Sequence, residues 1–226
     1  MKLDTYCDFV HYVNTTGFMP MSESFPVDIP SLGQMTNREQ WHTSDRDTDP
    51  WQWKDRAPAE RALAFGCILG GYKGFISREL YPVFYALMRP KGTLEEMYDD
   101  GKISRLTLDV YALFETNSEL ASYEIREVLK LGKSVSTAKI DRSVTDLQAM
   151  FMLTVCGNKR KTTYDGREYG WAANLYARAE DWHADWLEGE MPSVEEAREQ
   201  ITAAVKQINN SADELTLFQT LKKRAK

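Results

Sequence analysis

Apolar residues recur at helical spacing in several stretches of the chain, alternate in others, and show no period over residues 41–56. Residues 6–13 form a short aromatic-rich segment that predicts a helix ending before Asn14 and Gly17. Pro20, Pro26 and Pro30 interrupt residues 18–32, which read as an extended strap with Phe25, Val27 and Ile29 alternating. Residues 62–69 are apolar and lead through the glycine-rich stretch 70–74 into Phe75 and Ile76. That pattern predicts a buried strand, a turn and a return strand, with a helix over 58–69 as the competitor favoured by its alanines. Ser77 predicts the cap of a helix carrying Leu80, Phe84 and Leu87 and stopped at Pro90. The Thr93/Glu96 capping box predicts a short helix ended by Gly101.

From Ser104 the pattern changes. Leu106, Val110, Leu113 and Phe114 predict one amphipathic helix, and Ser122 opens a second with Ile125, Val128 and Leu129 inward and Gly132 at its end. A third begins near Ser136 with Ile140, Val144, Leu147 and Phe151 on one face. Apolar residues 152–156, a turn at 158–160, residues 161–164 and the hairpin signal Asp165-Gly166 follow, then a strand through Trp171. Three helices and an antiparallel hairpin are the layout of a winged helix. The expected fold class is therefore α+β, mainly helical, with at least one winged-helix module of three helices and a β-hairpin wing. Beyond Tyr176, Trp182, His183 and Trp186 predict an amphipathic turn clamped to the body. The Ser193/Glu196 box opens a helix with Val194, Ala197, Ile201, Val205 and Ile208 inward, and a last helix carries Leu215, Phe218 and Leu221 before the basic tail 222–226. The expected division is an N-terminal helical and strand region with a Trp-rich loop (1–102), a winged-helix domain (103–176) and C-terminal helices packing on the body (177–226). No repeat at a solenoid period is visible.

The aperiodic stretch 41–56 holds three tryptophans, His42 and four aspartates. It predicts an ordered loop pinned by aromatic anchors, with Trp51, beside Pro50, mainly structural.

The chain has 226 residues, 42% of them hydrophobic and 27% charged, enough for a substantial core. Its amino terminus shows no basic region followed by an apolar run, and no stretch approaches eighteen apolar residues, so neither secretion nor a membrane partner is expected and the cytoplasm is. Cys7, Cys67 and Cys156 are widely separated and read as reduced thiols; with His11, His42 and His183 equally scattered, no metal or other cofactor is expected. The run at 70–74 lacks the spacing of a nucleotide-binding loop.

A net charge of −6 argues against nucleic-acid binding by the whole surface, yet residues 130–168 hold eight basic residues against four acidic ones. In a winged helix the third helix presents its outer face to the major groove and the wing touches phosphates. The candidate double-stranded DNA contacts are Lys139, Arg142 and Ser143, beside Asp146 on that face, and Lys159, Arg160 and Lys161 on the turn. The competing reading is a protein-interaction or purely structural module with a solvated hairpin.

The run Asp49-Pro50-Trp51-Gln52-Trp53, the glycine turn, the Ser77 helix and the helix–hairpin stretch together resemble the AlkZ-related proteins, distant relatives of the winged-helix alkylpurine DNA glycosylases. The resemblance covers most of the chain. It implies tandem winged helices around a cleft and a repair-like association with DNA. In the glycosylases a Gln-x-Gln or Gln-x-Asp motif lies a few residues before a Pro-Trp pair; the matching stretch here is His42-Thr43-Ser44-Asp45, without a glutamine. The chain is also shorter than the full glycosylases, so part of the cleft is expected to be missing.

Alkylation makes a purine cationic and a good leaving group, so such an enzyme chiefly positions a water and stabilises an oxocarbenium-like sugar. His42 is the candidate to take the proton, and Asp45 or Asp47 the candidate to oppose the developing charge; the competing reading has these side chains bonding their own loop. The expected function is a DNA-associated accessory protein lacking the glutamine motif. Two alternatives stay open: an active base-excision glycosylase, and a transcription regulator or interaction scaffold, for which a symmetric homodimer is the expected sign.

Overall fold

The computed structural model describes residues 2–130 and 135–222. Within them the chain is a mixed α/β structure of eleven α-helices and two three-stranded antiparallel sheets. Helix α1 (Tyr6–Thr16) begins at a capping box in which Thr5 Oγ1 accepts from Asp8 N and Asp8 Oδ2 accepts from Thr5 N. Gly17, at φ 88°, ends it and turns the chain into β1 (Phe18–Pro20). After α2 (Leu32–Met35) and the Trp-rich stretch come α3 (Pro50–Ala59), β2 (Leu63–Leu69) and β3 (Tyr72–Ser77), with β3 at the centre of the first sheet.

The run at 62–69 is thus a strand, and the competing helix does not form. The reason lies in its two faces: Leu63 and Phe65 enter one core cluster while Ala64 and Ile68 enter the other. A strand buried on both sides reads as continuously apolar, and only its β-spacing serves both cores.

Helices α4 (Tyr81–Met88) and α5 (Leu94–Asp99) lead to α6 (Arg105–Ala112), β4 (Glu119–Ala121), α7 (Ser122–Lys130) and α8 (Thr137–Ala149). The hairpin β5 (Leu153–Thr162) and β6 (Glu168–Arg178) follows, with β6 at the centre of the second sheet. The order helix, strand, helix, helix, strand, strand therefore occurs twice, each time with the third strand central. After α9 (Ala179–Trp182), helices α10 (Val194–Ile208) and α11 (Glu214–Leu221) close the second core cluster against Tyr81, Phe84 and Ile68. Both clusters draw on both halves of the chain.

Several expectations need correction. Residues 50–56 are helix, not loop: Asp49 caps α3, Pro50 supplies the fixed φ of its first turn, and Trp53 and Ala57 are its only fully buried apolar pair before Pro58. Trp53, at 0% exposure, is the anchor rather than the half-buried Trp51. Strand β5 runs through residues 158–160, where the expected turn does not form, while the hairpin expected at Asp165-Gly166 does turn, at 163–167. Leu215 is exposed, and Leu217 joins Phe218 and Leu221 in the core. The capping boxes at Thr93 and Ser193 form as read, and α8 begins where expected, capped by Ser136. The proposed stop at Gly132, Lys133 and the tail beyond Lys222 lie outside the described residues. Cys7, Cys67 and Cys156 form no disulfide, and no described helix is long and apolar enough to cross a membrane.

Candidate nucleic-acid interface

The stretch from Trp41 to Asp49 is a strap fastened from within by a buried carboxylate. Asp49 Oδ1 accepts the His42 and Trp51 amides at 3.0 and 2.8 Å, and its Oδ2 accepts the Ser44 amide at 3.0 Å. His42 and Ser44 both adopt left-handed backbone angles, φ 64° and 66°, which cost a non-glycine residue roughly 1 kcal/mol or more each. The bonds to Asp49 hold them there. Asp45 is likewise turned onto its own loop: its Oδ1 accepts Thr48 N at 2.9 Å and Asp47 N at 2.8 Å, and these amides hold its carboxyl below the usual carboxylate range. The Asp47 carbonyl accepts Tyr6 N and Trp53 Nε1, tying α1 to α3, while its exposed carboxylate lies 4.0 Å from Arg56. The three expected catalytic residues thus share one exposed loop, with the His42 ring 4.9 Å from that of Trp51.

Trp51 also lines a cavity of about 330 Å³ to which both halves of the chain contribute. From the first half come Trp51, Lys54, Gly66 and Cys67; from the second come Arg126, Asp141, Gln148, Asn174 and Tyr176. Lys54 pairs with Asp55 and places its Nζ 4.3 Å from the Trp51 ring centre. Arg126 and Asp141 form a two-pronged ion pair, 2.8 Å on each arm. Gln148 is buried, donating to Val144 O and accepting from Cys67 N at 3.0 Å, which locks α8 to β2. Gly66 makes this possible, since a Cβ there would lie 2.6 Å from Gln148 Oε1. Burial pushes the Tyr176 phenol up to about 12, so it stays neutral and able to donate. The cavity offers aromatic faces, an ion pair, an amide and an ammonium. His42, Asp45 and Asp47 are not among its walls, and the described residues hold no group of three or more His, Cys, Asp or Glu side chains fit to bind a metal.

The basic residues occupy two further places. On α8, Lys139 and Arg142 are exposed, the latter 4.0 Å from Asp146, whereas Ser143 faces inward and accepts from Thr107 Oγ1 at 3.2 Å. On β5, Lys159 pairs with Glu124 at 2.6 Å and Lys161 with Glu127 at 2.8 Å, and these hydrogen bonds raise both ammonium pKa values. Arg160 has no ion-pair partner among the described residues; its carbonyl accepts from Tyr123 Oη at 3.3 Å. The outer halves of β5 and β6 and the turn between them leave the core; Tyr164 in the turn is fully exposed, Trp171 is 90% exposed and Tyr169 about half.

Compared with known families, the chain matches the one described as AlkZ related over residues 3–222. It belongs to that family. No curated protein and no solved structure matches it. The resemblance carried by residues 49–53, the glycine turn and the helix–hairpin stretch is thereby borne out. The description states a relation to AlkZ and assigns no activity.

Sequence reasoning overlooked several of these residues. The Asp49-Pro50 step was a helix-start signal that could have separated strap from helix. Gly170 inside a strand pattern was a sign of a bulge next to Trp171. Arg126, Asp141 and Gln148 had no local signal, because they meet the first half of the chain only through the fold.

Proposed function

We propose that this AlkZ-related chain is a DNA-associated, repair-like accessory protein built from two winged helices, one over α1 to β3 and one over α6 to β6. The duplicated element order supports the two modules, and family membership supports the link to DNA repair. The observation that carries the reading is the β5–β6 hairpin. Between Lys159 and Glu168 it holds four cations against two carboxylates in a chain of net charge −6, outside the core and interleaved with exposed aromatics. Such a projection adds little to folding and matches a phosphate backbone.

Lys159 and Lys161 must exchange Glu124 and Glu127 for phosphates on binding, so their contribution is to the salt dependence more than to affinity in salt. On α8, Lys139 and Arg142 form a second exposed basic site, and Ser143, being buried, supports the helix from behind. An enzymatic reading assigns proton transfer to His42 and charge stabilisation to Asp45 or Asp47. Against it stands the commitment of Asp45 to its own loop amides and the absence of all three from the cavity wall.

The test is duplex DNA binding across a salt series. Neutralising Lys159, Arg160 and Lys161 to glutamine is expected to lower the slope of log K against log salt by roughly 2 to 3 units. Equal slopes for the two proteins would leave the hairpin a scaffold, and no binding at low salt would remove the DNA reading altogether.

A further inference from the structure

Strand β6 is not evenly paired with β5. Lys159 faces Ala173 and Lys161 faces Tyr169, so the single residue Arg160 stands opposite residues 170–172. The extra residues form a bulge, and Gly170 sits in it at φ 73°. A Cβ at Gly170 would meet nothing within 4 Å. Glycine is therefore needed there for its backbone angle and not for space. The consequence is the presentation of Trp171 at 90% exposure, whereas the other five tryptophans, Trp41, Trp51, Trp53, Trp182 and Trp186, are buried or half-buried.

A bulge that throws the largest side chain of the strand into water has a folding cost and no folding return. Bulges of this kind re-aim a side chain toward a partner. The surroundings say which partner. Arg160, directly opposite, has no ion-pair partner among the described residues, whereas Arg167 on the same hairpin is paired with Asp165 at 2.7 Å, so it is Arg160 that draws an anion to the face beside Trp171. Ala172, the next residue, and Asn174 line the cavity shared with Trp51 and Tyr176. A flat aromatic surface, a free cation and an adjoining polar cavity suit a nucleobase that has left its stack. An intact duplex offers no such face, because its bases lie against one another and unstacking one costs a few kcal/mol. Where a base is already unpaired that cost is small, and stacking on Trp171 adds directly to affinity.

We propose that Trp171 is a stacking platform for an unpaired base, and that the protein prefers DNA with a gap or a single-stranded segment over an intact duplex. This rests on the DNA-binding reading given above and names its substrate class.

The experiment compares binding of the full chain to three labelled probes of one sequence: an intact duplex, the same duplex with a one-nucleotide gap, and the single strand. The wild type is expected to favour the gapped and single-stranded probes. Trp171→Ala is expected to weaken those two by roughly 5- to 150-fold and the intact duplex far less, with the melting temperature unchanged, and Trp171→Phe to recover part of the loss. Equal affinity of the wild type for all three probes, or a gap preference that survives Trp171→Ala, overturns the stacking role and leaves duplex binding intact. Failure of the wild type to bind any probe removes the DNA reading, and the stacking role with it.

Discussion

Lowering the pH from 7 to 4 is expected to cost on the order of 3 kcal/mol of folding stability through His183 alone. This side chain is completely buried, 4.3 Å from the Tyr81 ring and 4.2 Å from the Trp186 ring, with Thr154 Oγ1 at 3.2 Å from Nε2 and no hydrogen-bond partner for Nδ1 among the described residues. Burial, aided by the nearby Arg61 guanidinium, lowers its pKa to about 3 from an ordinary 6.5. Asp185 opposes the shift weakly because it is already engaged by Arg61 and Arg78. The unfolded chain takes up the proton near pH 6.5 and the native protein does not until about pH 3, so the contribution is fully present above 6.5 and is lost progressively between those values. Urea unfolding at a series of pH values, for the wild type and His183→Gln, measures this. The variant is expected to be less stable at neutral pH and to show a slope shallower by about one proton across pH 6 to 4. Parallel slopes would place the acid sensitivity elsewhere.

Trp53→Ala is the second large effect, about 3 to 5 kcal/mol, or a melting point lowered by roughly 6 to 20 °C. Trp53 is fully buried, stacks on Phe9 at 5.4 Å between ring centres, and donates from Nε1 to Asp47 O at 2.9 Å. Its loss opens a cavity where α1, α3 and the strap meet. Trp51 is only half-buried and forms a cavity wall, so Trp51→Ala is expected to destabilise markedly less. Thermal melts of the two variants side by side decide the matter; a larger loss for Trp51→Ala would reverse this assignment.

These two residues also show where the sequence was readable. The caps at Thr93, Ser136 and Ser193 and the strand pair at 62–76 were legible because local chemistry decides them: a hydroxyl meets the amide three residues on, and β-spacing feeds two cores. The Trp-rich stretch does not read as a helix because α3 is short and ends near a proline, so its buried face has too few turns to show a period. The duplicated element order is not legible in the sequence because different residues fill equivalent faces, Phe65 and Phe75 in one sheet, Val155 and Tyr176 in the other. Pairing partners were equally invisible. Glu124 and Glu127 lie 35 and 34 residues before Lys159 and Lys161, yet they take up these two lysines, so a count of charges along residues 130–168 overstates the free cation.

The central claim is that DNA meets this protein at the β5–β6 hairpin, and hydroxyl-radical footprinting of side chains tests it most directly. Tyr164, Tyr169 and Trp171 are exposed and oxidise readily in the free protein, while Tyr98, exposed on α5 and not part of the hairpin, provides an internal reference. With saturating DNA at low salt, oxidation of the three hairpin aromatics is predicted to fall several-fold and that of Tyr98 to stay constant. Unchanged oxidation of the hairpin while DNA is demonstrably bound would contradict the claim.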